Sequence, residues 1–304
     1  MLKHYWLQQG KVVDHGEGPP PVWVYVDPDE AERRQLIEDG LDEHTLVSAL
    51  DPDELARLEW EPDHVALIYK RPSSYQEEGR FMFRVASTGL FLFKDRLVLV
   101  QAKEPPSFEG KLFARITSLR SLVLRLISRA VSHYLEHLKV INLATDELEA
   151  KVNASLENRY LIYMFVLQKS LVYYLSSISS NGGLIERLRN NAVKLELGAD
   201  GLELLEDLSI ENTQCYKQAE IYSSILASLM DARASIVSNN LNVLMKTLNM
   251  LTITIMVPTF VVSAFSMNVP VPLSANHWAF WFIMALATLS SIGWLIIWKR
   301  WRWL

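Results

Sequence analysis

The chain has 304 residues, 50% of them apolar and 21% charged, with a formal net charge of -5. That is enough length for about two domains and too much apolar side chain for disorder. A net acidic chain without a basic stripe excludes a broad nucleic-acid surface, and its single cysteine, Cys215, excludes an intrachain disulfide and a cysteine-based zinc cluster.

The opening MLKHYWLQQGKVVDHG contains no continuous hydrophobic segment, hence no signal peptide, and the large amino-terminal part is expected in the cytoplasm. Residues 1–110 read as a small α/β domain. VWVYVDP (22–28) is a strand ending in a turn. The stretch ERRQLIEDGLDEHTLVSALDPDE is helical with a break near Gly40, and Asp51 is placed to cap a further helix over DELARLEWE. Residues 64–72 and 80–102 are rich in aromatic and branched side chains. They read as strands, with a hairpin at 87–89 and a turn at Lys94 and Asp95. Asp27, Asp29, Asp51 and Asp53 all flank prolines, so they are assigned to turns and caps rather than to a metal or a reaction. With no Gly-rich phosphate loop, no HExxH and no GxSxG, an enzyme is not expected.

Proline is absent between Pro106 and Pro258, and strands give way to helical periodicity. Residues 111–200 are expected to form long helices. One covers 113–148; a second runs from 153 into the 190s, with Leu156, Tyr160, Tyr163, Leu167, Leu171 and Tyr174 spaced by three or four. Asn181, Gly182 and Gly183 either interrupt it or mark a local irregularity. A stalk helix begins near Leu202, covers 201–249, and has no evident stop before the apolar segment beyond it. Some 65 helical residues would measure about 100 Å. A helix that long requires packing against its neighbours and against other subunits.

Residues 250–269 and 278–298 carry no charge, and each matches the ~20 residues that cross a hydrocarbon core. They are read as two membrane helices, joined by an outer turn over 270–277. Trp278, Trp281, Trp294, Trp298, Trp301 and Trp303 flank or occupy the second span, as interfacial anchors do. Lys246 precedes the first span, and Lys299, Arg300 and Arg302 lie in a basic tail, 299–304. Positive flanks stay inside, so both termini are cytoplasmic.

Asn242, Met245, Asn249, Thr252, Met256, Thr259, Ser263 and Ser266 recur at intervals of three and four and share one stripe. Leu248, Leu251, Ile255 and Val262 are expected on the opposite side. A polar stripe in a membrane must meet protein or water. Either several copies close it into a pore wall, or it is helix-packing glue. In a pore, Met245 and Met256 would narrow the path by excluding water. Asn249 and Asn268 would hold a hydrated divalent ion through its waters. Pro258 is expected to bend the span.

The stretch 234–268, ASIVSNNLNVLMKTLNMLTITIMVPTFVVSAFSMN, contains SN-x-x-N (Ser238, Asn239, Asn242), Met245 followed by Lys246, a proline in the first span, and a terminal Met267–Asn268 pair. In these features, and in its α/β-then-long-helix order, the chain resembles the CorA family of divalent cation channels and transporters, within the two-span group bearing a Gly-Met-Asn signature. The resemblance implies an α+β membrane protein: a homopentameric funnel in the cell inner membrane, with cytoplasmic α/β domains and stalk helices. It implies passage of Mg²⁺, Co²⁺ or a related hydrated divalent cation, which is substrate and regulator, and no cofactor. Two other readings stay open: Zn²⁺ transport of the ZntB type, and a non-transporting membrane scaffold or regulator. Family pore positions map onto Asn242, Met245, Asn249, Met256 and Ser263. The signature maps onto Ser266, Met267 and Asn268, with Asn268 as the ring that meets the metal, and a divalent-sensing aspartate maps onto Asp207. Three residues or segments depart from the pattern: Ser266 replaces glycine, Asn249 replaces threonine, and the turn over 269–277 has no acid. His277 in that turn is a candidate pH-sensitive group or transient zinc ligand.

Overall fold

A strand covered on both faces needs apolar residues at successive positions rather than at alternate ones. VWVYV and LVLVQ meet that requirement, and they lie side by side at the centre of the molecule's one large sheet. The computed structural model describes residues 1–73, 76–77, 80–154, 158–269 and 276–301. It divides into two units, Met1–Met230 and Asp231–Leu304. In the first unit the strands are β1 (Leu2–Gln8), β2 (Lys11–Val13), β3 (Val22–Val26), β4 (Arg57–Trp60), β5 (Val65–Pro72), β6 (Gln76–Glu77), β7 (Arg80–Phe81), β8 (Val85–Leu92) and β9 (Leu97–Gln101). The helices are α1 (Glu30–Glu38), α2 (Glu43–Leu50), α3 (Leu119–Ala154), α4 (Asn158–Asn190) and α5 (Ala199–Phe265).

The sheet order is β2-β1-β3-β9-β8-β5-β4, antiparallel except for the parallel β3–β9 pair. Side chains alternate between its faces. Val22, Val24, Leu97 and Leu99 enter the core built with α3, α4 and α5. Tyr25, Val98 and Val100 pack with Leu36, Leu46 and Ala49 of α1 and α2. Each fully buried branched side chain of this kind contributes about 1.5–3 kcal/mol.

Asp29 caps α1 through a reciprocal capping box with Glu32, and Asp42 accepts from Thr45 N at the start of α2. Three expectations are corrected. No hairpin forms at 87–89: β8 runs straight through, and a Cβ on Gly89 would lie 2.5 Å from Ala49 Cβ. Glycine is there to let α2 approach the sheet, not to turn the chain. No helix follows Asp51, which ends α2; residues 57–60 pair with β5 as β4, and that pairing overrides local helical preference. Finally, the helix expected over 113–148 starts at Leu119, where Ser118 Oγ accepts from Ser121 N at 3.1 Å, and it continues to Ala154. The strands β1 and β2, absent from the sequence reading, occupy the opening residues.

Asn181–Gly182–Gly183 does not interrupt α4. Strand β4 ends opposite Ile68, so the backbone of Lys70 has no strand partner on that edge. Asn181 supplies one: its Oδ1 accepts from Lys70 N at 2.8 Å and its Nδ2 donates to Lys70 O at 2.7 Å. Beside it, Ser180 Oγ accepts from Ala56 N at 2.7 Å. Gly182 then lets α5 come close, since a Cβ there would lie 3.1 Å from Asn212 Nδ2, which donates to Ile178 O.

Helix α5 is buried in the first unit along Leu205, Leu208, Asn212, Cys215, Ala219 and Leu226, a three/four spacing. Burial pushes the Cys215 thiol up to about 12, so this cysteine is packing rather than nucleophile. The second unit contains the remainder of α5 and α6 (Ala279–Trp301), both almost wholly exposed. Among the described residues, three helices are long and apolar enough to cross a membrane by length and composition: α4, α5 and α6. The apolar window of α4 is 39% buried, whereas those of α5 and α6 are 0% and 6% buried. Residues 270–275 of the expected outer turn, and 302–304 with Arg302 and Trp303, lie outside the described residues.

Replacing Asn181 by alanine strands a buried amide and a buried carbonyl, which should cost roughly 2 to 4 kcal/mol. Thermal unfolding followed by circular dichroism should show the midpoint several degrees lower. An unchanged midpoint would mean that the amide does not hold α4 to the sheet.

Candidate functional site

Beyond residue 231 the side chains of α5 fall into two classes, and their spacing separates them cleanly. Asn242, Met245, Asn249, Thr252, Met256, Thr259 and Ser263 are all exposed, Met245 at 53% and Met256 at 62%. Thr254, Val257, Pro258, Val261 and Phe265 are partly covered. A helix advances about 100° per residue, so the two sets centre about 180° apart. On α6 the covered residues also form one face, with Ile283, Ala287, Ser290, Ser291 and Trp294 at helical spacing. Small residues on such a face permit close helix approach. The second unit thus covers the back of the stripe and leaves the stripe itself open.

This corrects one expectation. Leu248, Leu251, Ile255 and Val262 do not lie opposite the stripe; they are exposed residues centred about 90° from it, by the same 100° step. The residues opposite are those around Pro258, which the sequence reading noted only as a bend. The available signal was the small-residue spacing of Ala287, Ser290 and Ser291 on α6.

The stripe's polar groups are of two kinds. Thr252 Oγ1 donates to Leu248 O at 2.9 Å and Thr259 Oγ1 donates to Ile255 O at 2.7 Å. Their protons are satisfied by the helix, and their oxygens keep outward lone pairs that accept from water. Asn242 and Asn249 make no hydrogen bond among the described residues. An amide can both donate and accept, so these two side chains require partners from outside the single chain.

Helix α5 ends at Phe265, and Ser266, Met267 and Asn268 follow it as turn and bend, all exposed. Ser266 N and Ser266 Oγ both donate to Ser263 O, at 3.1 and 3.0 Å, so the serine closes the helix end. Ser266 is not among the residues with positive φ. The position therefore demands no glycine, and a hydroxyl there adds a cap without strain.

Asp207 belongs to the first unit, on the exposed side of α5. It lines a cleft of about 540 Å³ with Arg115, Arg120, Arg125, Asp200 and Glu203. Its charge acts on Glu211, whose carboxyl is raised first by burial and then by Asp207. Among the described residues, no group of three or more His, Cys, Asp or Glu is placed to hold a metal ion. Asn268 and Asp207 therefore present single ligand groups in one copy of the chain.

Residues 21–300 match the family described as CorA-like Mg2+ transporter protein. The chain is 25% identical over 296 residues to the cobalt/magnesium transport protein CorA of Methanocaldococcus jannaschii, covering 93% of this chain and 91% of that one. The complete structure of that magnesium transporter superposes with a TM-score of 0.83 at 22% identity, over 100% of this chain and 99% of the other. The full-length CmaX protein gives 0.72 at 15% identity, over 99% and 98% of the two chains. The ZntB cytoplasmic domain from Vibrio parahaemolyticus gives 0.58 at 13% identity, over 78% of this chain and 98% of that domain.

Because Cys215 is fully buried, single cysteines on α5 report cleanly in a Cys215→Ala background. In membranes, Asn249→Cys and Ser263→Cys should react with a water-soluble maleimide at least about tenfold faster than Val257→Cys and Val261→Cys, because the first pair stands on the open face of α5 and the second on its partly covered face. Equal rates, or the reverse order, would count against a wetted stripe.

Proposed function

Since the chain belongs to the CorA-like Mg2+ transporter family, across residues 21–300, we propose that it carries Mg²⁺, Co²⁺ or a closely related divalent cation through a membrane pore lined by α5. The observation that carries this reading is the open polar stripe from Asn242 to Ser263, backed by α6 and ending next to Asn268. One helix cannot enclose water. Several copies around an axis would turn the stripe inward, five of them if the assembly follows what the family resemblance implies.

In this arrangement the outer part of α5 and the whole of α6 are the two membrane spans. Helix α4 is not a third, because its apolar residues Leu167, Leu171, Tyr174 and Ile178 are already buried in the core of the first unit. Lys246, Lys299 and Arg300 lie at the cytoplasmic ends of the spans, which puts both termini in the cytoplasm and Asn268 at the outer mouth. The first unit with α3 and α4 forms the cytoplasmic part.

Magnesium loses its inner waters reluctantly. A ring of Asn268 amides would grip those waters rather than the bare ion, and Asn249 and Asn242 would repeat that contact deeper in the path. Met245 and Met256 supply apolar collars that close when water leaves. An inside-negative potential drives a divalent ion inward by about 4.6 kcal/mol per 100 mV, twice the ~2.3 kcal/mol of a unit charge. No covalent step is required. We assign Asp207 the divalent-sensing role that the resemblance implies: binding between subunits would hold the pore closed when internal divalent cation is high.

Zinc is the second cargo to be tested, favoured by His277 in the outer turn and by the likeness to the ZntB domain. Uptake into proteoliposomes with Mg²⁺, Co²⁺, Ni²⁺ and Zn²⁺ compared side by side, with and without a pH gradient, decides between them. Flux of Mg²⁺ or Co²⁺ should dominate and should fall at least about tenfold in Asn268→Ala, a loss of more than 1.4 kcal/mol in the barrier balance. Asp207→Ala should leave flux intact but weaken its closure by internal Mg²⁺. Unchanged closure would remove Asp207 from gating. Absence of any metal flux from a folded assembly would favour a scaffold or regulator.

A further inference from the structure

The first unit holds a cavity that transport does not use. It has a volume of about 890 Å³ and lies between the ends of β5 and β8 and one face of α4. Ligand pockets commonly measure about 300–1,000 Å³. Its wall combines two chemistries. Lys70, Arg84, Lys103 and Lys169 line it, and among its described lining residues Asp53 is the one carboxylate. That balance runs opposite to the chain's net charge of -5.

Asp51, Asp53 and Glu54 act on Lys70 and Arg84 has a partner of its own, so the unbalanced charge is that of the two exposed lysines. Among the described residues neither Lys103 nor Lys169 has an ion-pair partner, and Lys169 Nζ stands 5.8 Å from the Tyr173 ring centre. Buried Lys70 donates to Pro52 O at 2.6 Å and to Ser87 Oγ at 3.0 Å. An ammonium has three donors, so one remains, on a side chain held in place by the other two bonds. Helix α4 adds hydroxyls from Ser176 and Ser180 on the same wall.

The other chemistry is apolar and aromatic. Phe165 and Tyr173 stand two turns apart on α4, with Lys169 between them, and all three line the cavity. Phe165 is 58% exposed and Tyr173 47% exposed, an unusual cost for rings on a helix packed against a sheet. A planar group laid on either ring would cover that surface while its charged end reached the lysines.

We propose that this cavity binds an organic phosphate of nucleotide size, with the phosphates on Lys70, Lys103 and Lys169 and the planar part against Phe165 or Tyr173. Lysines bind phosphate as point charges, and hydroxyls complete its acceptor shell. The ring contacts distinguish this ligand from an inorganic anion. The inference is independent of the transport reading, because every lining residue lies in the first unit.

The test is calorimetric titration of the full chain in detergent, in EDTA so that no divalent ion bridges the phosphate. ADP, pyrophosphate and adenosine are the three probes. ADP should bind saturably below ~1 mM, more tightly than pyrophosphate, and adenosine should bind weakest. Lys169→Glu and Lys103→Glu replace exposed side chains, so the fold should survive. Each should weaken ADP by about tenfold or more. Phe165→Ala should weaken ADP and leave pyrophosphate unchanged, while Lys217→Ala, on α5 outside the cavity, should change neither. No saturable binding of ADP, or binding indifferent to both lysine variants, overturns the site. Pyrophosphate binding as tightly as ADP, with Phe165→Ala silent, overturns the organic ligand.

Discussion

A carboxamide in hydrocarbon with no partner loses several kilocalories per mole relative to water. Asn249 makes no hydrogen bond among the described residues, yet it stands on the exposed face of α5 at the edge of the apolar run that begins at Met250, and Asn242 repeats the pattern two turns nearer the stalk. The rest of the arrangement follows from that constraint. The threonines of the same face escape it by donating to carbonyls one turn back. The asparagines have no such local escape, and α6 gives none because the partly covered residues of α5 lie on its other side. In the proposed assembly, water held among several copies supplies those partners, and a water-filled axis is also the route a hydrated cation needs.

The first unit solves a different problem, which is how to hold the base of a 67-residue helix. It does so with an apolar seam, Leu205 to Leu226, and with two asparagines that work as a pair. Asn181 replaces a missing strand partner for Lys70, fixing α4 to the sheet. Asn212 bonds α5 to the carbonyl of Ile178 just before it. Glycine at 182 leaves room for the second contact. Polar groups buried with their bonds satisfied specify one arrangement of neighbours, where an all-apolar seam would tolerate sliding.

Much of this was legible from residue order alone. The long helices, the uncharged spans and the three/four stripe follow from periodicity, and the Ser238-to-Asn268 pattern carried the family. What sequence missed was tertiary in origin. Gly89 resembles a turn residue until Ala49 is seen pressed against it. Arg57 to Trp60 favour a helix locally, and only the free edge of β5 makes them a strand. The face of α5 opposite the stripe is hard to read from residue order because Leu248, Leu251, Ile255 and Val262, which lie to one side of it, stand out more than Thr254 and Pro258, although helical arithmetic favours the latter. Asn181–Gly182–Gly183 reads as a break because its partners lie about 30 and 110 residues away, at Asn212 and Lys70.

The central claim is that ions travel along the stripe of α5. The most direct measurement is Mg²⁺ flux into proteoliposomes containing Ser263→Cys in a Cys215→Ala background, before and after a charged, water-soluble thiol reagent. The account predicts normal flux beforehand, a large block after modification, and restoration when the adduct is reduced away. Val261→Cys, on the face toward α6, should be unaffected. Full modification of Ser263→Cys with no change in flux would contradict it.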